Sequence, residues 1–479
     1  VKIRRILIAN RGEIAMRIIR AARALEIETV LAMSEADRGS LPARYADRAL
    51  CIGAARPNES YLRVETIVEA ALRSGADAVH PGYGFLSENA GLALACDANG
   101  LIFIGPTAGQ VHDVGDKLRA RAIAEQAGVP TAPGGPIDDV AGAFALARDV
   151  GYPVLIKAVG GGGGRGMKRV DGPDELEGQF TLAVAEAGAS FGDARVYLER
   201  FVAQGRHIEV QVLGDGERIV HLGERDCSIQ RRYQKLVEEA CAVDLPSEVC
   251  DSMRAAAVRF AERLAYRGVG TVEFLYDAER NDYFFLEMNA RIQVEHPVTE
   301  AVTGIDLVLA QIAVAQGAAL PLAQNDIVFT GHAIECRVNA EDIDADFRPN
   351  AGTIATAAFP AGPGVRVDTY VESGARVPPY YDSLIAKIIV HAPTRAQAIA
   401  RMREALKQCR IDGIKTNLGL HAAIMSDAQF ARGAVDTEFF RRFNDARQAA
   451  AKTLDGAAPG AASLPNSATD PRRTQPSPA

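Results

Sequence analysis

Pro153-Val-Leu-Ile-Lys-Ala-Val159 runs directly into five glycines, Gly160 to Gly164, and then into Arg165-Gly-Met-Lys168. The first of these stretches reads as a strand, apolar and β-branched around one lysine. Backbone without Cβ atoms can fold closely over a polyphosphate and turn successive N–H groups toward its oxygens. Lys157 stands on the strand leading in and can reach the same phosphates. A flexible linker has no need of a β-type run before it and of Met167-Lys-Arg-Val170 after it. A Walker loop is excluded, because no Gly-Lys-Ser/Thr follows.

Toward the N-terminus the chain alternates strand and helix. Arg5-Ile-Leu-Ile-Ala9 predicts a short buried strand, Glu13 to Leu25 a helix, and Thr29-Val-Leu-Ala-Met33 the next strand. Ala76 to His80 and Leu101 to Ile104 repeat the pattern, each ending in a Pro/Gly turn. Such a series folds as a parallel sheet. The turn Asn10-Arg-Gly-Glu13 lacks G-x-G-x-x-G, so no dinucleotide site is expected there. A helix should open at Lys117 and end before Gly128, and Pro133-Gly-Gly-Pro136 marks a boundary. Residues 132 to about 202 form a compact α/β unit that carries the glycines.

From residue 205 the chain is rich in strands, at 208–213, 218–222, 271–276 and 283–288. A third part begins near Gly331, with strands at 333–338 and 383–390 and a helix from Arg395 to Gln408. After about residue 445 the composition turns to Ala, Pro, Ser and Gly, which predicts disorder.

The 479 residues carry a net charge of −8. That balance argues against a partner bound through a basic surface, such as nucleic acid. No run of about 18 uncharged apolar residues is present, so no membrane span is expected. The basic and apolar start is broken at once by Asn10-Arg-Gly-Glu13, unlike a signal peptide. Seven scattered cysteines form no CxxC and fit a reduced, cytoplasmic protein.

The strongest constellation lies between 270 and 296. A hairpin centred on Arg280 sets Glu273 against Glu287 and Leu275 against Phe285. Opposed side chains sit about 4.5–5.5 Å apart, and like charges there are destabilising unless a cation intervenes. Asn289 faces the same way as Glu287 in an extended strand. Two carboxylates and an amide offer hard oxygen ligands, suited to Mg²⁺ or Mn²⁺ held with nucleotide phosphates. Solvated acids would not sit amid Phe274-Leu275 and Phe284-Phe-Leu286. If the chain stays extended, Arg291, Gln293 and Glu295 continue the same wall. Arg291 can hold a carboxylate or bicarbonate in bidentate fashion, and Glu295 can act as a base toward it. His296 points elsewhere by the same parity and is expected to be structural. His207 and Glu209 share a face after Gly205. Arg231-Arg-Tyr-Gln-Lys235 is either a solvated face or part of a site, and Arg337 is a cation inside a β-run.

Taken together, these segments resemble the biotin carboxylase family of ATP-grasp enzymes. The motifs that carry the resemblance are Ile8-Ala-Asn-Arg-Gly-Glu-Ile14, His80-Pro-Gly-Tyr-Gly-Phe-Leu-Ser-Glu-Asn89, Gly115-Asp-Lys117, the glycine run, Glu224 to Arg232, Glu287-Met-Asn289, Arg291 to Glu300 and Pro378-Pro-Tyr-Tyr-Asp-Ser-Leu384. They run in order over residues 2 to about 443. The resemblance implies an α/β and α+β architecture. A Rossmann-like N-terminal domain would span 1–114, and an ATP-grasp domain 115–330 with a mobile α/β lid at about 132–202. A β-rich C-terminal domain would span 331–444, with a disordered tail at 445–479.

It also implies roles. Lys117, Lys157 and Gly161, Gly162, Gly163 and Gly164 would hold ATP phosphates, with adenine near Glu199 to Val202 and His207 close to the nucleotide. Glu273, Glu287 and Asn289 would bind two Mg²⁺ or Mn²⁺ ions. Lys235, Arg291, Gln293 and the Val294 backbone would hold bicarbonate, and Glu295 would deprotonate it. Tyr83 and Arg337 would lie beside biotin. The implied reaction carboxylates biotin through carboxyphosphate, as the first half-reaction of an acyl-CoA carboxylase. Biotin would be carried by a separate carrier protein, with a carboxyltransferase as further partner and a homodimer as the assembly. Tyr233 stands where many members have His, near the expected biotin site; Ala290 replaces a common Thr, and Cys241 a frequent Pro. The competing possibilities are an ATP-grasp carboxylate–amine ligase and an inactive regulatory paralogue.

Overall fold

The computed structural model describes residues 2–161, 166–433 and 435–456. The N-terminal strands β1 (Arg5–Ile8), β2 (Glu28–Ser34), β3 (Arg48–Gly53), β4 (Ala78–His80) and β5 (Ile102–Phe103) form one parallel sheet in the order β3-β2-β1-β4-β5. Strand order reverses between β1 and β4. That switch opens a crevice beyond the carboxyl ends of these strands, the usual ligand position in such sheets. The Asn10 side chain ties the two strand ends together, donating to the Pro81 and Tyr83 carbonyls at 2.7 Å each. Helix α1 (Gly12–Ala24) starts at this crevice and presents Glu13 to it.

The lid is a separate antiparallel sheet. Its strands β6 (Gly134–Ile137), β7 (Val154–Ala158), β8 (Met167–Val170) and β9 (Val196–Arg200) lie in the order β6-β9-β7-β8. Gly134–Ile137 pairs with β9, so the expected boundary turn at 133–136 is instead an edge strand. β7 and β8 flank the glycine turn, as the opening stretch predicts. Gly166 adopts φ +76°, and a Cβ there would meet Ala158 Cβ at 2.9 Å, so both backbone and space require glycine. Gly162, Gly163 and Gly164 lie outside the described residues.

The large sheet holds the site. Its strands are β10 (Gly205–Asp215), β11 (Ile219–Arg231), β12 (Gln234–Ala240), β13 (Arg267–Asp277), β14 (Asp282–Asn289), β15 (His332–Asn339) and the strands Leu384–Ala392 and Val365–Thr369. They are antiparallel in the order β14-β13-β10-β11-β12-β15, followed by Leu384–Ala392 and Val365–Thr369. The pairing of β12 with β15 carries this sheet across the expected division near residue 330. Arg337 reaches the centre of the molecule for that reason.

Glu273 opposes Glu287, as the hairpin predicts, but Leu275 opposes Phe284 and not Phe285. A β-bulge makes the difference: Leu286 is an extra residue between Phe285, opposite Phe274, and Glu287. Residues two apart on a regular strand share a face. The bulge lets Phe285 turn into the apolar core while Glu287 turns to the opposite face. Phe274, Phe285, Val210 and Val272 pack there under the helix Ser247–Arg263.

The chain past residue 445 corrects a second expectation. The helix Phe439–Gly456 continues beyond the point where composition suggested disorder, and the rest of the tail lies outside the described residues. Among the described residues no single helix is long and apolar enough to cross a membrane.

Phe260, fully buried, stacks on Phe285 with ring centroids 4.8 Å apart. Phe260→Ala should lower stability by about 3–5 kcal/mol, the range for losing a buried aromatic ring. Urea unfolding followed by tyrosine fluorescence and circular dichroism reads it; a loss under about 1 kcal/mol would show that the bulged hairpin does not depend on this contact.

Candidate functional site

The face of the large sheet opposite Phe274 and Phe285 carries charge. Glu209 on β10 opposes Glu273 on β13, and Glu273 opposes Glu287 on β14. Three adjacent strands thus set three carboxylates in one row. Cations make this tolerable. Lys235 Nζ bonds Glu273 at 3.1 Å and Glu295 at 2.6 Å, and also bonds Glu209. Lys117 Nζ bonds Glu287 at 2.5 Å. His207 Nε2 lies 2.9 Å from Glu273. Burial opposes charge on His207, but the Glu273 carboxylate outweighs it and raises the imidazole above its ordinary value.

Glu295 does not lie on an extended wall. β14 ends at Asn289, and Glu295 is the N-cap of the helix His296–Thr303 with φ −82°. The loop between them nevertheless returns Gln293 and Glu295 to the row. Gln293 donates to Glu273 at 2.9 Å. Glu295 is 1% exposed and held from both sides, by Lys235 and by Arg337 Nη2 at 2.8 Å. Burial alone would push its carboxyl up, but Lys235, Arg337 and Arg225 hold it well below the usual carboxylate range. It is therefore ionised at neutral pH. His296 is buried, with Nδ1 2.7 Å from the Gln293 carbonyl, which fits its expected structural part.

Arg225 is one of two residues of the site that the sequence did not single out. It is wholly buried and donates to Glu209 at 2.6 Å, Gln211 at 2.7 Å, Gln293 at 2.8 Å and Thr299 at 2.9 Å. It lies within the motif Glu224 to Arg232, whose charged spacing was the available signal. Lys387 is the second such residue. Fully buried, it donates to the Val294 carbonyl at 2.7 Å and lies 3.1 Å from Glu13. Glu13 in turn accepts from the Tyr83 hydroxyl. The N-terminal crevice is thereby joined to the loop that carries Glu295.

Arg291 bonds Glu88 at 2.8 Å and Asn289 Oδ1 at 2.8 Å. Asn289 also donates to Glu273 at 2.9 Å. On the lid, Lys157 pairs with Glu199, and it is among the charges that Lys117 feels. Val202 packs with Ala132 and Phe284 where lid and large sheet meet. Tyr233 is 58% exposed at the turn after β11 and has Lys157 and Glu438 as charged neighbours.

The oxygen donors fit a hard divalent ion. Glu273 and Glu287 face one another in register, each now held by an ammonium, and oxygen ligands suit Mg²⁺ or Mn²⁺. A thiolate site at Glu209, Cys227 and Glu295 fits poorly, because burial pushes the Cys227 thiol well up.

Family models match nearly the whole chain: "Biotin carboxylase, N-terminal domain" at 2–111, "Carbamoyl-phosphate synthase L chain, ATP binding domain" at 116–323, and "Biotin carboxylase C-terminal domain" at 335–442. A biotin carboxylase of Nostoc sp. is 51% identical over 446 residues, covering 92% of this chain and 100% of that protein. The chain belongs to the biotin carboxylase family. A biotin carboxylase of Pseudomonas aeruginosa is 48% identical over 442 residues, covering 91% of this chain and 98% of that protein. A crystal structure of the biotin carboxylase domain dimer of Hydrogenobacter thermophilus 2-oxoglutarate carboxylase, with MgADP, ADP and bicarbonate, superposes with a TM-score of 0.89. It is 45% identical and covers 92% of this chain and 98% of that one.

Arg225→Met should cost about 3–5 kcal/mol in stability, because it leaves Glu209 a buried charge without its partner. Chemical denaturation at neutral pH reads this. An unchanged midpoint would mean that Lys235 alone can hold the Glu209 carboxylate.

Proposed function

We propose that the protein carboxylates biotin at the expense of ATP, using bicarbonate, through a carboxyphosphate intermediate. The carrying observation is Glu295: a buried, ionised carboxylate clamped between Lys235 and Arg337, with Gln293 on the same loop. Bicarbonate is a poor nucleophile until it loses its proton. Glu295 takes that proton, and Lys235, Arg291 and Gln293 hold the carbonate that results. A carbonate oxygen then attacks the γ-phosphorus of ATP, whose phosphates rest on Lys117, Lys157 and the glycine turn. ADP leaves, and the new mixed anhydride is carboxyphosphate. Its decomposition gives CO₂ and phosphate. The phosphate accepts the ureido proton of biotin, and the ureido nitrogen attacks CO₂. Arg337 faces the enolate-like oxygen that develops on biotin, with Tyr83 beside it.

Glu273, Glu287 and Asn289 would hold the divalent ions. When bound, Mg²⁺ offsets charge on the transferred phosphoryl group. His207 and Glu199 to Val202 line the nucleotide side. Curated relatives named biotin carboxylase match along essentially their full length. In this reading a separate carrier protein bears the biotin, and a carboxyltransferase completes the reaction. The dimeric neighbour supports a homodimer. All seven cysteines are free, in keeping with a reducing, cytoplasmic setting.

Glu295→Gln keeps the shape of the base but cannot take a proton. It should lower bicarbonate-dependent ATP cleavage on the order of 10²- to 10⁴-fold, with nucleotide affinity within a few-fold of the parent. The check is kcat at saturating bicarbonate and free biotin, beside a direct ATP titration. A near-parental kcat would remove Glu295 as the base. Lost ATP affinity would assign it to the nucleotide cage.

A further inference from the structure

Besides the row through Glu209, Glu273 and Glu287, the large sheet holds another pair of opposed glutamates. Glu238 on β12 faces Glu335 on β15 in register, both 0% exposed. The two settings differ in what satisfies the oxygens. Glu209, Glu273 and Glu287 are met by Lys235, Arg225, His207, Lys117 and two amides. In the Glu238/Glu335 pair only one oxygen has a partner among the described residues: Glu238 Oε1 accepts from Arg337 Nε. Glu238 Oε2 and both Glu335 oxygens are buried without one. Two buried ionised carboxylates on opposed residues whose Cβ atoms lie about 5 Å apart, with three oxygens unmet, are strongly unfavourable. The ladder between β12 and β15 holds the two residues opposite one another.

We propose that this pair shares a proton, resident on Glu335, and that neutral Glu335 acts as a positioning residue for Arg337 in the reaction proposed above. The Glu335 hydroxyl donates to Glu238 Oε2. That bond fixes the Glu238 carboxylate, whose other oxygen holds Arg337 Nε. Arg337 Nη2 is then directed to Glu295 at 2.8 Å. No net proton is consumed or released, since the proton stays within the pair.

The surrounding charges agree with this assignment. The charges that act most strongly on Glu335 are Lys387 from the strand Leu384–Ala392, Glu238 from β12, Arg337 on its own strand and Glu295 from the loop before the helix His296–Thr303. Lys387 is already committed to Glu13 and the Val294 carbonyl. Burial pushes the Glu335 carboxyl well above its ordinary value and the Glu238 carboxyl to about 7, the latter drawn down by Arg337.

Infrared spectroscopy of the full-length protein tests this without reference to turnover. A protonated carboxylic acid has a carbonyl stretch that carboxylates lack. Wild-type protein at pH 8 should show such a band, shifted in D₂O, and Glu335→Gln should remove it or one component of it. Absence of any acid carbonyl band in the wild type overturns the proposal, even if no variant folds. In activity, Glu335→Leu, which cannot donate, should lower biotin-dependent ATP cleavage on the order of tenfold, the usual effect of losing a hydrogen bond to a charged group. ATP affinity should be unaltered. Glu335→Gln, neutral and able to donate, should recover most of that loss. If Gln is as impaired as Leu while the protein folds, an ionised Glu335 is required and the proposal fails. A wild-type enzyme that shows the band but no bicarbonate-dependent ATP cleavage would contradict the proposed function alone.

Discussion

Lys235 Nζ bonds three buried carboxylates that arrive from three different segments: Glu209 from β10, Glu273 from β13 and Glu295 from the loop after β14. Much of the centre of the molecule follows from this convergence. An acidic row this dense cannot be buried without fixed cations, since an isolated ion in the interior is far costlier than a paired one. Arg225 and Arg337 supply two more, and both are held by several partners at once. The same low-dielectric setting that makes the row costly makes its charges effective toward a bound anion.

The fold answers this electrostatic demand through its topology. One antiparallel sheet runs from the hairpin β13–β14 through β10, β11 and β12 to β15 and beyond. It brings Arg337, far from Lys235 in the chain, onto the same charged face. The parallel N-terminal sheet contributes from its switch point, where Glu13 and Tyr83 meet Lys387. Glu88 reaches Arg291 from the same domain. The lid brings Lys157 toward Lys117. The pieces of the site therefore come from all parts of the chain, and none is complete alone.

Much of this was legible in the residues. The glycine run with its flanking strands, the opposed Glu273 and Glu287, and the alternating N-terminal elements each carry a local signal. What escaped was set by tertiary context. The bulge at Leu286 changes which face Phe285 takes, and only the unbroken apolar run Tyr283 to Leu286 hinted at it. The step-of-two rule placed Gln293 and Glu295 correctly for a wrong reason, since a turn and not a strand delivers them. Arg225 carries only its place in the charged motif Glu224 to Arg232 and Lys387 no local mark, because the partners of a buried cation are distant in the chain. The helical reach to Gly456 was hidden by an alanine-rich composition that suits helix and disordered chain alike.

The central claim is that the Lys235 cluster activates bicarbonate to attack ATP directly. Oxygen labelling tests it. With ¹⁸O-labelled bicarbonate in unlabelled water, and conditions that limit isotope exchange with CO₂, attack by a bicarbonate oxygen must leave a labelled oxygen in the inorganic phosphate. Mass spectrometry of the phosphate should show that transfer in step with ADP formation. Phosphate that carries oxygen from water alone, at the same rate of ADP formation, would contradict the account.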